Sequence, residues 1–399
     1  DKENGITEIA VPMGIIAALI PSTNPTSSTI YKIMIALKAG NAVIVSPHPN
    51  AKDCIIRTAE YLIRAAERKG APKGLIGVIK TPTLQATQEL MKHKHTALIL
   101  ATGGEAMVKA AYSSGTPAIG VGPGNGPAFI ERSADIRKAV KRIIDSKTFD
   151  NGVICASEQS IVTEEIIRNQ VIDELKRQGA YFLNKDERNK VGSILMRANN
   201  TMNPKIVGKT ALYIAAMAGI TVPTTTKVLV SEETEVSHIN PYSREKLCPV
   251  LGFYTEETWE KACEKCIEIL ENEGIGHTMS MHTNNENIVR EFSLKKPVSR
   301  LLVNTAAALG GVGATTNLLP AFTLGCGTIG GSSTTDNIGP LNLINIRRVA
   351  YGTKELEDLR EESNRACEVG STSSCGTQIT ENDVENIIKQ VLDGIYKNR

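Results

Sequence analysis

The sequence predicts an α/β protein: a doubly wound parallel sheet, a second αβ region, and a C-terminal amphipathic helix on a tether. Three observations carry this. Short apolar strand-like runs alternate with helical runs through the first 122 residues. Glycines and prolines cluster at 123–135, where that alternation changes. A Gly/Ser/Thr-rich stretch then separates the last 20 or so residues from everything before them.

In order, strands are expected at 14–21 (GIIAALIP), 42–47 (AVIVSP), 74–80 (GLIGVIK), 96–102 (TALILAT) and 117–122 (PAIGVG). Helices are expected between them at 26–40, 50–70, 84–93 and 105–115. A sheet of this kind binds ligands beyond the carboxyl ends of its strands. The second region follows through a helix at 164–179, a strand at 227–233, a helix at 257–273, and strands at 277–283 and 300–305. The run 308–340 is rich in glycine, so its backbone can approach a ligand or a neighbouring subunit closely. Residues 367–380 read as a flexible linker. After it, Thr380 and Asp383 make a capping-box pattern, and Val384, Ile387, Ile388, Val391, Leu392 and Ile395 form one apolar helical face. A helix this short needs a surface to lie on.

Composition bounds the class. Of 399 residues, 41% are apolar and 22% charged, and 45 basic residues against 43 acidic ones leave a net charge of +2. This gives no general field for nucleic acid or membrane, and there is no spanning apolar run or signal peptide. The chain begins at Asp1 without an initiator methionine, so a preceding segment is expected. Eight cysteines without framework spacing point to the reducing cytoplasm. Cys263 and Cys266 form a C-x-x-C with no second pair to complete a zinc site, and read as incidental thiols on a surface helix.

Four features could carry chemistry. Thr102, Gly103 and Gly104 join a strand to a helix, and a glycine turn at a helix N-terminus suits a phosphate or serves geometry alone. Asn24, in PSTNPTSS (21–28), follows a strand; its amide could donate to an oxyanion, or it could be an Asn-Pro turn. Cys155, in FDNGVICASEQS (149–160), lies beside an Asn-Gly turn among small polar residues and is a candidate nucleophile, the alternative being a buried structural thiol. Of six histidines, His48 and His277 stand at positions where a side chain could enter a cleft, while His93 and His95 read as a solvated helix end.

Together these segments resemble the aldehyde dehydrogenase superfamily, specifically its coenzyme-A-acylating branch. The likeness runs from about residue 6 to 350. It rests on FDNGVICASEQS (149–160), PSTNPTSS (21–28), GNAVIVSPHP (40–49), ATGGEAMV (101–108), GVGPGNGPAFI (120–130), EKLCPV (245–250) and TLGCGTIGGSSTTDNIGP (323–340). It implies a Rossmann-like cofactor domain at 12–123 and an αβ catalytic domain at 124–316. Residues 1–11 would end an oligomerisation strand pair, and 317–366 would return to the cofactor domain and oligomerisation region. Residues 367–379 would be a linker, and 380–399 an amphipathic helix.

Carried over residue by residue, Cys155 falls on the catalytic thiol and Asn24 on the oxyanion-stabilising amide. Ser22, Thr23, Thr102, Gly103, Gly104 and Gly122 border the nicotinamide cofactor, and Ser46, Pro47 and His48 its adenosine ribose. Glu245 matches the carboxylate that holds the nicotinamide ribose, and His277 is the candidate for assisting the incoming thiol.

The departures carry information. Hydrolytic members place a water-activating glutamate where this chain has Val121, which implies transfer of the acyl group to coenzyme A and not to water. Ser46 and Pro49 replace the ribose-binding Lys and Glu of many relatives, leaving NAD or NADP open, and Ile329 replaces a usual tryptophan. The expected activity is oxidation of a short-chain aldehyde to acyl-CoA in a homodimer or homotetramer. Residues 380–396 look like the packaging helices of bacterial microcompartment enzymes, which implies a shell protein as partner; docking on the enzyme itself is the alternative. Competing readings are a dehydrogenase for a substituted aldehyde such as sulfoacetaldehyde, and a non-catalytic assembly fragment.

Overall fold

The computed structural model of the chain describes residues 3–361, together with Glu385 and Lys389. The linker and the packaging-type helix expected at 367–399 lie outside these residues, apart from those two positions. Two compact units are present, one spanning residues 11–345 and the other made of the first ten residues with those from 346 onwards. In the smaller unit, β1 (Ile6–Pro12) pairs with the strand Ile344–Ala350 in a two-stranded ribbon. Glu8 and Arg348 form an ion pair on it.

The larger unit starts with five parallel strands: β2 (Ile15–Ile20), β3 (Ala42–Pro47), β4 (Ile76–Val78), β5 (Thr96–Thr102) and β6 (Ala118–Val121). They are connected by α1 (Pro25–Lys38), α2 (Lys52–Arg68), α3 (Leu84–Lys92) and α4 (Glu105–Tyr112). The strand order is β4-β3-β2-β5-β6, so the winding direction reverses between β2 and β5. That is the doubly wound pattern expected from the alternation, and its switch point opens a crevice at the ends of β2 and β5. Local sequence explains the helix limits. Pro25 opens α1 where its missing N–H costs nothing. Asp53 and Arg68 sit at the ends of α2 that suit their charges, and the Thr83 hydroxyl caps α3.

The second region is a seven-stranded sheet, also parallel. Its elements in chain order are β7 (Pro127–Ile130), α5 (Ile136–Thr148), β8 (Ser160–Glu164), α6 (Arg168–Arg177), β9 (Ala180–Phe182), α7 (Lys185–Leu195), α8 (Ala211–Met217), β10 (Val228–Glu232), β11 (Val250–Glu256), α9 (Trp259–Asn272), β12 (Gly276–His282), α10 (Glu286–Lys295), β13 (Val298–Val303) and α11 (Ala307–Gly311); β14 is the ribbon strand Ile344–Ala350. Spatially the order is β13-β12-β7-β8-β11-β10-β9. The sequence reading found five of these fourteen elements: α6, β10, α9, β12 and β13. Strands β7, β8 and β9 have only four, five and three residues, β7 lies in the segment singled out for its glycines, and β8 starts where the cysteine segment ends.

One expectation is corrected. Cys263 and Cys266 are not incidental surface thiols: both are buried on the inner face of α9, in a cluster with Phe129, Met279 and Phe292. The helix is amphipathic, and its thiols serve as small apolar groups on the core side. No helix among the described residues is long and apolar enough to cross a membrane.

Phe292 of α10 is fully buried, stacks on Phe129 with centroids 4.9 Å apart, and also meets Trp259. Phe292→Ala is therefore expected to cost about 3–5 kcal/mol, read as a fall in the urea midpoint of the unfolding transition. A midpoint unchanged from wild type would contradict the packing described.

Candidate active site

The segment carrying Cys155 is a forced turn. α5 ends at Thr148, and the next residues include three left-handed ones in succession: Asp150 (φ 48°), Asn151 (φ 51°) and Gly152 (φ 76°). Glycine and the short Asx side chains tolerate this region best, which explains the Asp-Asn-Gly triplet. The turn is tied down by Asn151, whose Nδ2 donates to the Gly208 carbonyl at 3.0 Å. It is closed by Lys147, whose Nζ donates to Gln159 Oε1 at 3.0 Å across the base of the loop. Gln159 also donates its backbone N–H to the Gly126 carbonyl and accepts from the Lys246 N–H at 3.1 Å. All three of Lys147, Gln159 and Lys246 are fully buried.

Two further segments meet this turn because β12, β7 and β8 are neighbours in the sheet. The residues ahead of each strand therefore gather at one edge. Ahead of β7, the loop 122–126 crosses the cysteine so closely that a Cβ on Gly124 would stand 2.1 Å from the Cys155 carbonyl oxygen and 3.3 Å from the His277 ring. Only glycine fits there. Ahead of β12, Gly276 takes φ +83°, with the Cys326 carbonyl packed against its Cα, and delivers His277 into the site.

The structure thus brings two predicted residues together: His277 Nε2 lies 3.1 Å from Cys155 Sγ. On its other side His277 Nδ1 meets Thr278 Oγ1 at 2.9 Å, and Thr278 Oγ1 accepts from Arg300 Nε at 3.1 Å. Arg300 donates its remaining bonds to neutral acceptors: the carbonyls of His277, Gly325 and Thr335, and Asn337 Oδ1. Glu245 stands on the opposite flank, its Oε1 accepting from the Gly124 N–H at 2.9 Å and its own N–H donating to Glu273 at 2.7 Å.

Electrostatics leave this pair uncharged. Burial, then the negative charge of Glu245 and the neighbouring Cys326, push the Cys155 thiol up to about 12, with Arg300 opposing. Burial, then the positive charge of Arg300, take His277 down to about 3. Burial, then repulsion from Glu273, raise Glu245 to about 8, against the Gly124 N–H. At neutral pH the site therefore presents a thiol, a neutral imidazole and a largely protonated carboxyl group.

The other predicted residues emerge at the switch point of the five-stranded sheet. Ser22, Thr23 and Asn24 follow β2, while Thr102 ends β5 and Gly103 and Gly104 lead on into the N-terminus of α4. Asn24 Oδ1 accepts from Ser28 Oγ at 2.9 Å and, more weakly, from Thr23 Oγ1. This fixes the amide and leaves Nδ2 without a hydrogen bond among the described residues. No hydrogen bond joins Asn24 to Cys155 among the described residues, but Ile154 and Ala156 pack into the same apolar cluster as the inner face of α1. Gly122 lies on the loop between β6 and β7, and its N–H meets the Cys326 thiol. Of the ribose-side residues, Ser46 is buried and bonded to Thr87 Oγ1, Pro47 is buried, and half-buried His48 caps the next turn through Nδ1. Val121 is buried at the end of β6, beside Thr102.

Sequence reasoning passed over Gly124, Lys147, Gln159, Glu273, Thr278 and Arg300. One signal was available: Arg300 is the only charged residue in a strand that otherwise reads as apolar, VSRLLV.

Comparison with known proteins shows what the chain as a whole is similar to. Residues 1–211 match the model of the aldehyde dehydrogenase family. The chain is 46% identical over 351 residues to an aldehyde-alcohol dehydrogenase of Clostridium acetobutylicum, matching 87% of this chain and spanning 40% of that protein's length. It superposes on an acetylating aldehyde dehydrogenase of Geobacillus thermoglucosidasius with a TM-score of 0.88 at 54% identity, covering 89% of this chain and 78% of the other. A propionaldehyde dehydrogenase from the fucose utilisation microcompartment of Clostridium phytofermentans gives 0.81 at 27% identity, covering 88% and 78%.

A thiol raised to about 12 sits almost wholly protonated at neutral pH. Alkylation of Cys155 by iodoacetamide, followed by peptide mass spectrometry, is expected to accelerate about tenfold per pH unit between about pH 7 and 10. A plateau reached below pH 8 would contradict the neutral pair.

Proposed function

The chain belongs to the aldehyde dehydrogenase family, and from that membership and the contact between Cys155 and His277 we propose that it is a coenzyme-A-acylating aldehyde dehydrogenase. It oxidises a short-chain aldehyde and hands the acyl group to coenzyme A. The observation that carries this reading is the Cys155 thiol held 3.1 Å from His277 Nε2, while Val121 is apolar and buried and the Glu245 carboxyl is occupied by the Gly124 N–H.

The cofactor crevice fits a dinucleotide. It lies at the switch point between β2 and β5, and the N-terminus of α4 offers free N–H groups to a pyrophosphate. Thr102, Gly103 and Gly104 would hold that group, with Ser22, Thr23 and Gly122 along the crevice, Ser46, Pro47 and His48 at the adenosine end and Glu245 at the nicotinamide ribose. When bound, NAD or NADP accepts the hydride. The protein's own groups do the rest. Cys155 Sγ would add to the aldehyde carbonyl as its S–H proton passes to solvent, giving a thiohemiacetal whose oxyanion Asn24 Nδ2 and the Cys155 N–H would hold. A bound dinucleotide would supply the hydride acceptor that makes Cys155 a thioacyl carrier, and the coenzyme A thiol would then displace the Cys155 sulfur, its proton going to the released thiolate. His277 holds the sulfur in place through both.

The packaging of the enzyme follows as a second part of the reading. The apolar face at 384–395 and its linker support a tail that docks on a microcompartment shell protein, and the chain resembles a microcompartment propionaldehyde dehydrogenase. The β1–β14 ribbon, exposed along most of its length, is the segment assigned to contact between copies in a homodimer or homotetramer.

Aldehyde-dependent formation of reduced cofactor is expected to require coenzyme A, and Cys155→Ala is expected to lower it by about three orders of magnitude or more. Turnover without coenzyme A, or a folded Cys155→Ala variant of wild-type activity, would overturn the proposal. A fluorescent protein carrying residues 367–399 is expected to form foci in cells that build compartments. Diffuse signal would refute the packaging role.

A further inference from the structure

We propose that Thr278 is a positioning residue that locks His277 into the tautomer whose Nε2 carries the proton, so that the imidazole donates a hydrogen bond to the Cys155 sulfur and does not take its proton. The proposal rests on the reading of Cys155 as the acyl-carrying nucleophile and assigns the histidine a definite part in it.

Thr278 is buried, with 1% of its surface exposed. Its hydroxyl has one proton to give and two lone pairs to fill. Arg300 stands directly beside it in the parallel register of β12 and β13, and its Nε–H occupies one lone pair at 3.1 Å. The guanidinium is always a donor, so this bond has only one direction. Among the described residues, the one other partner of Thr278 Oγ1 is His277 Nδ1, at 2.9 Å. If Nδ1 carried the imidazole proton, Thr278 would accept twice and its own buried proton would have no acceptor. If Nδ1 is bare, Thr278 donates to it, and the hydroxyl, the guanidinium Nε–H and both ring nitrogens are paired, leaving only the weak S–H donor of Cys155 to turn away from the ring. An unmet buried donor is costly enough to bias the tautomers by about an order of magnitude or more. The proton of the neutral ring then sits on Nε2, 3.1 Å from Cys155 Sγ.

Two consequences follow for the sulfur. It accepts a hydrogen bond that strengthens as it becomes a thiolate, both when it attacks and when it leaves. It also feels Arg300, which has no carboxylate within ion-pair distance among the described residues. Arg300 thus acts twice: it directs the Thr278 hydroxyl toward Nδ1, and its charge opposes any protonation that would make the imidazole cationic. The groups facing the pair are then Arg300, the Glu245 carboxyl and the Cys326 thiol.

The test reads the tautomer and the thiol, not aldehyde turnover, so it stands apart from the assay of the proposed activity. In the full-length protein with 15N-labelled histidine, the His277 signals are assigned by their loss in His277→Gln. At about pH 8, Nδ1 is expected to show the shift of a bare ring nitrogen and Nε2 that of a protonated one. The reverse pattern would overturn the proposal. In Thr278→Val, alkylation of Cys155 at the same pH is expected to fall about tenfold, and Thr278→Ser, which restores the hydroxyl, to return to within about twofold of wild type. A valine variant that reacts at the wild-type rate or faster, or a serine variant as slow as the valine one, would overturn it too. Should the valine variant fail to fold, the wild-type tautomer decides.

Discussion

A side chain at position 124 would overlap the carbonyl of Cys155, and the site takes its dimensions from that missing atom. Because Gly124 lets the loop before β7 lie directly on the turn before β8, its N–H reaches the Glu245 carboxyl, and its Cα comes up against the His277 ring. Three separate segments thereby share a space too small for a larger residue. Gln159 keeps them there: it joins the cysteine turn to Lys147, to the Gly126 carbonyl and to the Lys246 amide at once. The left-handed residues at 150–152 are held by this packing, as strained backbone at a functional site must be.

Around the thiol lies an unusual amount of buried charge potential. Burial lowers Lys147 to about 8 and Lys246 to about 7, and raises Glu158 to about 7 and Glu245 to about 8. The signs oppose one another in their effect on stability. The carboxyl groups have raised folded-state values, so their stabilisation is complete below the unfolded value near 4.5 and fades as pH climbs toward 8. The lysines have lowered values, so theirs is lost as pH falls from above 10 through 8 and 7. Near neutrality each group can be uncharged, which avoids the penalty of an unpaired ion in the interior. For an acyl enzyme this has a chemical use. A carboxyl group that stays protonated beside a thioester does not activate water against it.

The sheet carrying the cofactor crevice was legible in the sequence almost to the residue. Strands at 42–47 and 96–102 are as read, and β2 lies within the run read at 14–21. Apolar runs bounded by Gly and Pro leave little freedom in a fully buried parallel sheet. Cys155 and His277 could each be singled out as candidates, the first from its Asn-Gly turn and the second from a position where a side chain could enter a cleft. Their meeting was not, since 122 positions separate them and only the β12-β7-β8 adjacency joins them. Thr278, Lys147 and Gln159 act through long-range bonds that local pattern does not encode. Cys263 and Cys266 misled because a charged helix face was read as the whole helix, whereas the thiols occupy the other face.

The central claim is that Cys155 carries the acyl group and waits for a thiol. The most direct measurement is intact-protein mass spectrometry after mixing the enzyme with a short aldehyde and oxidised cofactor while withholding coenzyme A. The account predicts one acyl mass added per chain, mapped to the peptide holding Cys155, persisting for minutes and vanishing when coenzyme A is added. Prompt release of free carboxylic acid without coenzyme A, or an acyl mass on any other residue, would contradict it.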